Sequence, residues 1–276
     1  MQSQIVKKLP VLYISHGGPT TSFRDYSLMD KNIVDNYCDA LEDFGKQIRQ
    51  NKQLKNIIIV SAHHEAKKFS ITQGNSPQMI HDHGFNQIFN FVTKSKGNQN
   101  LSDKLYDDLK KEGLDVQKDN NWGFDHGVWS VTKLIDPEGI IPVVSISMSQ
   151  NWNAEEHIKL GQILGKYRNE NLVIGSGSVS HNLREMFSQF RSGLESKYAK
   201  DFKNFNNKIV EYLENKQGTE RNQAVVSLLK EKIYKINHPT NDHFFPIFVA
   251  VGAANESKGK CLVYDELGFS TSIVFE

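Results

Sequence analysis

Apolar residues along the chain fall into two alternating patterns. Short unbroken runs at 11–15, 57–61, 69–73, 142–147, 172–175 and 271–276 have strand length, and several are rich in β-branched residues. Between them lie longer stretches in which apolar residues recur at steps of three and four. Over 31–50 these are Ile33, Tyr37, Leu41, Phe44 and Ile48. Leu101, Leu105, Leu109 and Leu114 mark a second helix closed by Gly113, and a third begins over 128–135. A fourth spans 154–169, with Asn153 as its cap and Glu155 and Glu156 at its positive end. Residues 195–235 read as two charged amphipathic helices over one face, and an apolar helix takes in the segment carrying His238 and His243. This alternation predicts an α/β fold: one domain over 1–276, with a central, mostly parallel sheet flanked by helices.

Composition narrows the function classes. The 276 residues carry 33 basic and 32 acidic side chains, a formal charge of +1, with Lys and Arg scattered. That is no electrostatic footprint for nucleic acid. Cys38 and Cys261 are the only cysteines, which suggests neither a disulfide framework nor a thiolate metal site. The start, MQSQIVKKLP, lacks the apolar region of a signal peptide, and no stretch has the length of a membrane span. No membrane association and a cytoplasmic location are the expectation.

Histidine is the residue whose placement carries chemistry. His16 follows the first strand in SHGGP, His63 and His64 end the second in SAHHE, and His181 follows the 172–175 strand in SGSVSHNL. Functional groups collect at strand ends in open α/β sheets, so these histidines would converge on one edge. Alternatively, each would cap a strand end by bonding to loop backbone. Neighbours on a strand point oppositely, so one of His63 and His64 should reach a shared site. His238 and His243, about 140° apart if helical, should likewise supply one. The chain has no nucleophile elbow, and its Gly- and Ser-rich segment lacks the lysine and spacing of a phosphate loop.

Taken in order, SHGGP, SAHHE, IHDHGF, WGFDHGVW, SGSVSHNL and HPTNDHFFP resemble the class III extradiol ring-cleavage dioxygenases, most nearly their 4,5-DOPA-dioxygenase-like branch, over almost the whole chain. The resemblance implies a metal held by His16, His63 and His243, with His181 as acid/base and possible fourth ligand. It implies His126 beside substrate and oxygen, and a small aromatic diol and O2 as reactants. Asp125, Trp122 and Phe124 would wall the substrate pocket. Fe(II) is the metal implied for dioxygenase chemistry. Three imidazoles without a carboxylate depart from the usual ferrous triad and suit Zn(II) equally. A zinc hydrolase with a metal-bound hydroxide, and a non-enzymatic metal-binding relative, are the competing readings.

Overall fold

The computed structural model describes residues 7–276 other than 26, 28, 83, 85–87 and 89. His83 and Phe85 of the IHDHGF motif therefore lie outside the described residues. In chain order the elements are β1 (Val11–Ser15), α1 (Lys31–Arg49), β2 (Asn56–Ala66), β3 (Phe69–Thr72), α2 (Gln99–Lys111), β4 (Val116–Asp119) and α3 (His126–Ile135). These are followed by β5 (Val143–Ser149), α4 (Ala154–Leu164), β6 (Asn171–Gly177), α5 (Leu183–Ser192), α6 (Ala199–Asn215) and α7 (Gly218–Ser227). The chain closes with α8 (Lys232–Asn237), α9 (Pro246–Ala254), β7 (Gly259–Val263) and β8 (Ser272–Phe275).

The strands form one sheet in the order β4-β3-β5-β2-β6-β1-β8-β7. Its centre, β5-β2-β6-β1, is parallel throughout, while β8 and β3 add antiparallel flanks. Both halves of the chain contribute central strands, as one α/β unit requires. Central strands are covered on both faces, so alternate side chains enter different cores. Tyr13, Ile58, Val60 and Val173 join the core on the α4 and α9 side, and Leu12, Ile14, Ile57, Ile59 and Ile174 the core on the α1 and α3 side. All nine residues of α9 are buried, as expected for a helix apolar all round. Burying each of its larger side chains contributes about 1.5–3 kcal/mol. Helices α4 and α1 start on side-chain caps: the Asn153 side chain accepts from the Glu156 N–H, and Asp30 accepts from Asn32 and Ile33.

Several elements differ from the sequence pattern. β2 runs on to Ala66, because Ser61 pairs with Ser147 while Glu65 already pairs with Met148; Ala62, His63 and His64 form a bulge between them. A bulge re-aims side chains without ending the strand. β4 and β7 lie at the sheet edges and carry exposed polar residues, so no apolar run announced them. Helix α4 stops at Leu164 and continues as a single 3-10 turn, Gly165–Tyr167. Among the described residues no helix is long and apolar enough to cross a membrane.

Candidate metal centre

Strands β2, β6 and β1 are neighbours, and their carboxyl ends bring the strand-end histidines together. His16 extends the β1–β6 ladder by one bond, its N–H donating to the Gly177 carbonyl at 3.0 Å. Gly17 then turns the chain away at φ +68°, where a Cβ would meet the Thr21 side chain at 2.8 Å. His63 enters from the β2 bulge. His243 comes from neither strand nor helix. His238 is the C-cap of α8, Pro239 follows, and His243 sits in the turn before α9. The helical rotation expected for this pair therefore does not apply. Pro lacks a backbone N–H and resists continuation of α8. Gly177 lets that turn approach: a Cβ there would fall 2.2 Å from the His243 carbonyl.

The Nε2 atoms of His16 and His63 are 3.0 Å apart, and those of His243 and His63 3.2 Å. The outward nitrogens are engaged elsewhere. Ser176 donates its hydroxyl proton to the Gly127 carbonyl at 2.6 Å, so at 3.0 Å it accepts from His16 Nδ1–H. The Asp242 carboxylate accepts from His243 Nδ1, and Asp82 lies 3.5 Å from His63 Nδ1. An imidazole whose Nδ1 holds the proton presents a bare lone pair at Nε2. Lone pairs converging in a buried space suit a divalent cation, and outer partners that fix the rings are what metal-bound histidines have. Burial, and then the neighbouring imidazoles, push the pKa of His16 and His243 well below the usual range; His63 is lowered the same way. Neutral ligands are thus available at physiological pH.

Two more histidines border the trio. The His181 ring stacks on His243 at 3.3 Å between centroids, with 8° between planes, and its Nδ1 is 4.0 Å from Asp242. Burial pushes its pKa down to about 4, against the pull of the Asp242 charge. His126 is the first residue of α3 rather than part of a loop, with its ring 3.7 Å from that of His63. Asp82 binds it twice, accepting from the backbone N–H at 3.1 Å and pairing with Nδ1 at 2.7 Å. Burial would raise the Asp82 pKa, but the hydrogen bond and charge of His126 prevail and lower it.

A cavity of about 430 Å³ opens over this cluster, with His16, His63, His126, His181 and His243 in its lining. Trp122, Phe124 and Asp125 are not in its wall, contrary to the sequence expectation. Phe124 is fully buried in the core on the α1 and α3 side. Trp122 stacks on His64 at 4.8 Å and donates Nε1–H to Asp125 at 2.9 Å. Asp125 is buried and also accepts from Ser61 at 2.6 Å, positioned at the N-cap of α3. The three brace the start of α3 from behind.

His64 and His238 turn elsewhere. His64 pairs with Asp119 at 3.3 Å, and His238 Nε2 with the Val179 carbonyl at 2.7 Å. Asp82, Asp242 and Ser176 were given no role from sequence. The signal available for the two aspartates was adjacency, since HDH and NDH set a carboxylate beside a histidine.

Residues 10–276 match the family described as the catalytic LigB subunit of aromatic ring-opening dioxygenase. The chain is similar to the 4,5-DOPA dioxygenase extradiol of Beta vulgaris, 29% identical over 257 residues, covering 92% of this chain and 90% of that one. It is also similar to the Escherichia coli protein of that name, at 28% identity over 89% of this chain and 85% of the relative. A Schizosaccharomyces pombe 4,5-DOPA dioxygenase extradiol-like protein is 26% identical over 93% of this chain and 89% of its own. The crystal structure of an uncharacterized Escherichia coli K12 protein shares the fold, with a TM-score of 0.70 at 23% identity, over 98% of this chain and all of that one. The chain belongs to the family of aromatic ring-opening dioxygenases, which are metal-dependent enzymes.

Proposed function

We propose that this ring-opening dioxygenase cleaves a catechol beside its diol with O2, using one Fe(II) held by His16, His63 and His243. The observation that carries the reading is the convergence of three Nε2 atoms, with Nδ1 partners behind them, at the floor of a cavity. When bound, the metal supplies Lewis-acid activation of the diol and electron transfer to dioxygen.

The chain's own residues would handle protons and charge. His181 is neutral at physiological pH and faces the cavity, so it takes a proton from a substrate hydroxyl. Its pKa of about 4 makes it a weaker base than free histidine and correspondingly ready to return the proton. The Asp242 carboxylate near Nδ1 steadies the ring while it is charged. His126, its Nδ1 fixed by Asp82, would donate from its other nitrogen, when that too is protonated, to negative charge developing on the oxygen atoms. The aspartate-braced rings therefore arrive preorganised.

Anaerobic loading with Fe(II), followed by oxygen uptake with catechols, tests the reading directly. Stoichiometric uptake and a ring-opened semialdehyde are expected. His181→Ala should keep its metal and lose about 10²–10⁴-fold in cleavage. Wild-type rates in metal-loaded His181→Ala would defeat the mechanism. Cleavage of esters or amides by the Zn(II) form, without oxygen uptake by the Fe(II) form, would establish the hydrolase instead.

A further inference from the structure

The cavity has a polar floor and a different mouth. On α5, Leu183, Met186 and Phe187 stand at i, i+3 and i+4 and so share one stripe. All three line the cavity, yet none is fully buried, and Leu183 is 42% exposed. This amphipathic helix turns its apolar face to open space, where a core helix would turn it to protein. Pro19, Met29 and Phe269 add further apolar lining.

Charge is missing from the same surface. No Lys or Arg is among the described residues that line the cavity. Arg24, next to the wall segment at 16–21, is held by Asp39 at 2.8 Å and Glu42 at 2.9 Å. Lys133 donates to the Ser22 carbonyl at 2.6 Å. The sequence between Lys68 and Lys94 contains no Lys or Arg. Asp82, the one carboxylate among the described lining residues, is occupied by His126. Ser178 and Ser180 donate their hydroxyl protons back into the protein, to the Ser180 carbonyl and the Asn237 side chain, each at 2.6 Å.

We propose that the enzyme selects catechols bearing an uncharged, apolar substituent, seated with the diol toward the histidines and the substituent against Leu183, Met186 and Phe187. The proposal rests on the catechol reading above and narrows it. An amino-acid side chain on the ring would bring a carboxylate and an ammonium to a wall whose described residues offer no Lys or Arg and no uncommitted carboxylate, which costs desolvation with little return. An alkyl group gains with the apolar area it covers.

Calorimetry on the redox-inert Zn(II)-loaded protein compares catechol, butylcatechol and DOPA, and oxygen uptake by the Fe(II)-loaded enzyme repeats the series. Butylcatechol should bind about tenfold or more tighter than catechol, from burial of a few methylenes. DOPA should bind no tighter than catechol. Met186→Ala and Phe187→Ala should shrink the butylcatechol-to-catechol affinity ratio about three- to tenfold, and Met186→Arg should move preference toward DOPA. Far-UV circular dichroism and metal content confirm that each variant is folded and loaded. DOPA binding as tightly as butylcatechol, or ratios unmoved in both alanine variants, overturns the proposal while leaving the catechol reading intact. If no catechol binds or reacts, the reading falls and the proposal with it.

Discussion

Two groups of buried histidines differ in what surrounds them, although burial lowers the pKa in both. At the cavity floor, His16, His63 and His243 turn Nε2 toward one another and give their outer nitrogens to a hydroxyl or a carboxylate. Away from it, His64, His157 and His238 are buried at least as deeply, with values pushed down to about 4, about 4 and about 3. Each of these faces a single acceptor or a closed pair of backbone groups. Burial and a depressed pKa therefore do not distinguish a metal site from a packed interior. The convergence of lone pairs does.

The largest effect expected from this difference is in metal content. His16→Ala, His63→Ala and His243→Ala should each abolish retention of one divalent metal per chain, and ring cleavage with it, measured by elemental analysis after dialysis. His64→Ala and His238→Ala should retain the metal, whatever they cost in stability. An empty site in either of these, alongside a loaded His16→Ala, would reverse the assignment. Metal bound only to the native state also stabilises it, so chelation should lower Tm in the wild type.

A smaller effect separates the ligands from the groups behind them. Asp242 bonds His243 and approaches His181, while Asp82 bonds His126 and approaches His63. Partners of metal-bound histidines typically contribute about 10–100-fold in metal affinity or activity. Asp242→Asn and Asp82→Asn should each weaken metal binding within that range in a competition titration with a chromogenic chelator. Asp119→Asn, at a carboxylate that pairs with His64 away from the cavity, should leave metal affinity where it is. Equal losses in all three would mean that the carboxylates act through general stability.

The strand-borne half of this site was legible in the sequence as far as His16 and one of the His63–His64 pair, because both follow apolar runs that can hardly be anything but strands; the choice of His63 came from resemblance. His243 was reached only by resemblance, since it lies in an irregular turn fixed by Pro239 and by the room at Gly177. The bulge in β2 was invisible, being set by pairing with β5 rather than by a local signal. The aromatic wall was placed wrongly for a related reason. Trp122 and Phe124 sit beside His126 in sequence, but the turn into α3 directs them behind it, into packing with His64 and the core. The apolar wall on α5 had its signal in LREMF, at helical spacing, in a segment to which no element was assigned.

The smallest expected effect lies in the second group, at His157 on α4, whose ring faces the end of β5. Its Nδ1 pairs with the Asn153 carbonyl at 2.6 Å, and its Nε2 accepts the Ser149 N–H at 3.2 Å. Both nitrogens are committed in the neutral ring: Nδ1 must carry the proton, and a second proton on Nε2 would meet the Ser149 N–H. Burial accordingly pushes the pKa down to about 4. The unfolded chain takes up its proton near 6.5, so stability is complete above that pH, falls as pH drops below it, and stops falling below about 4. At pH 5 the folded state should have lost about 2 kcal/mol through this one residue. His157→Gln keeps polar atoms in place without a titrating ring. It should be less stable than the wild type at pH 7, while the stability difference between pH 7 and pH 5 shrinks by about that amount, a Tm shift of a few degrees. Denaturant titrations of the two proteins at both pH values measure the difference, with metal removed so that ligand protonation at the floor adds no metal-release term. An identical pH dependence in wild type and His157→Gln would mean that the ring accepts its proton while packed, and that burial at this position does not depress its pKa.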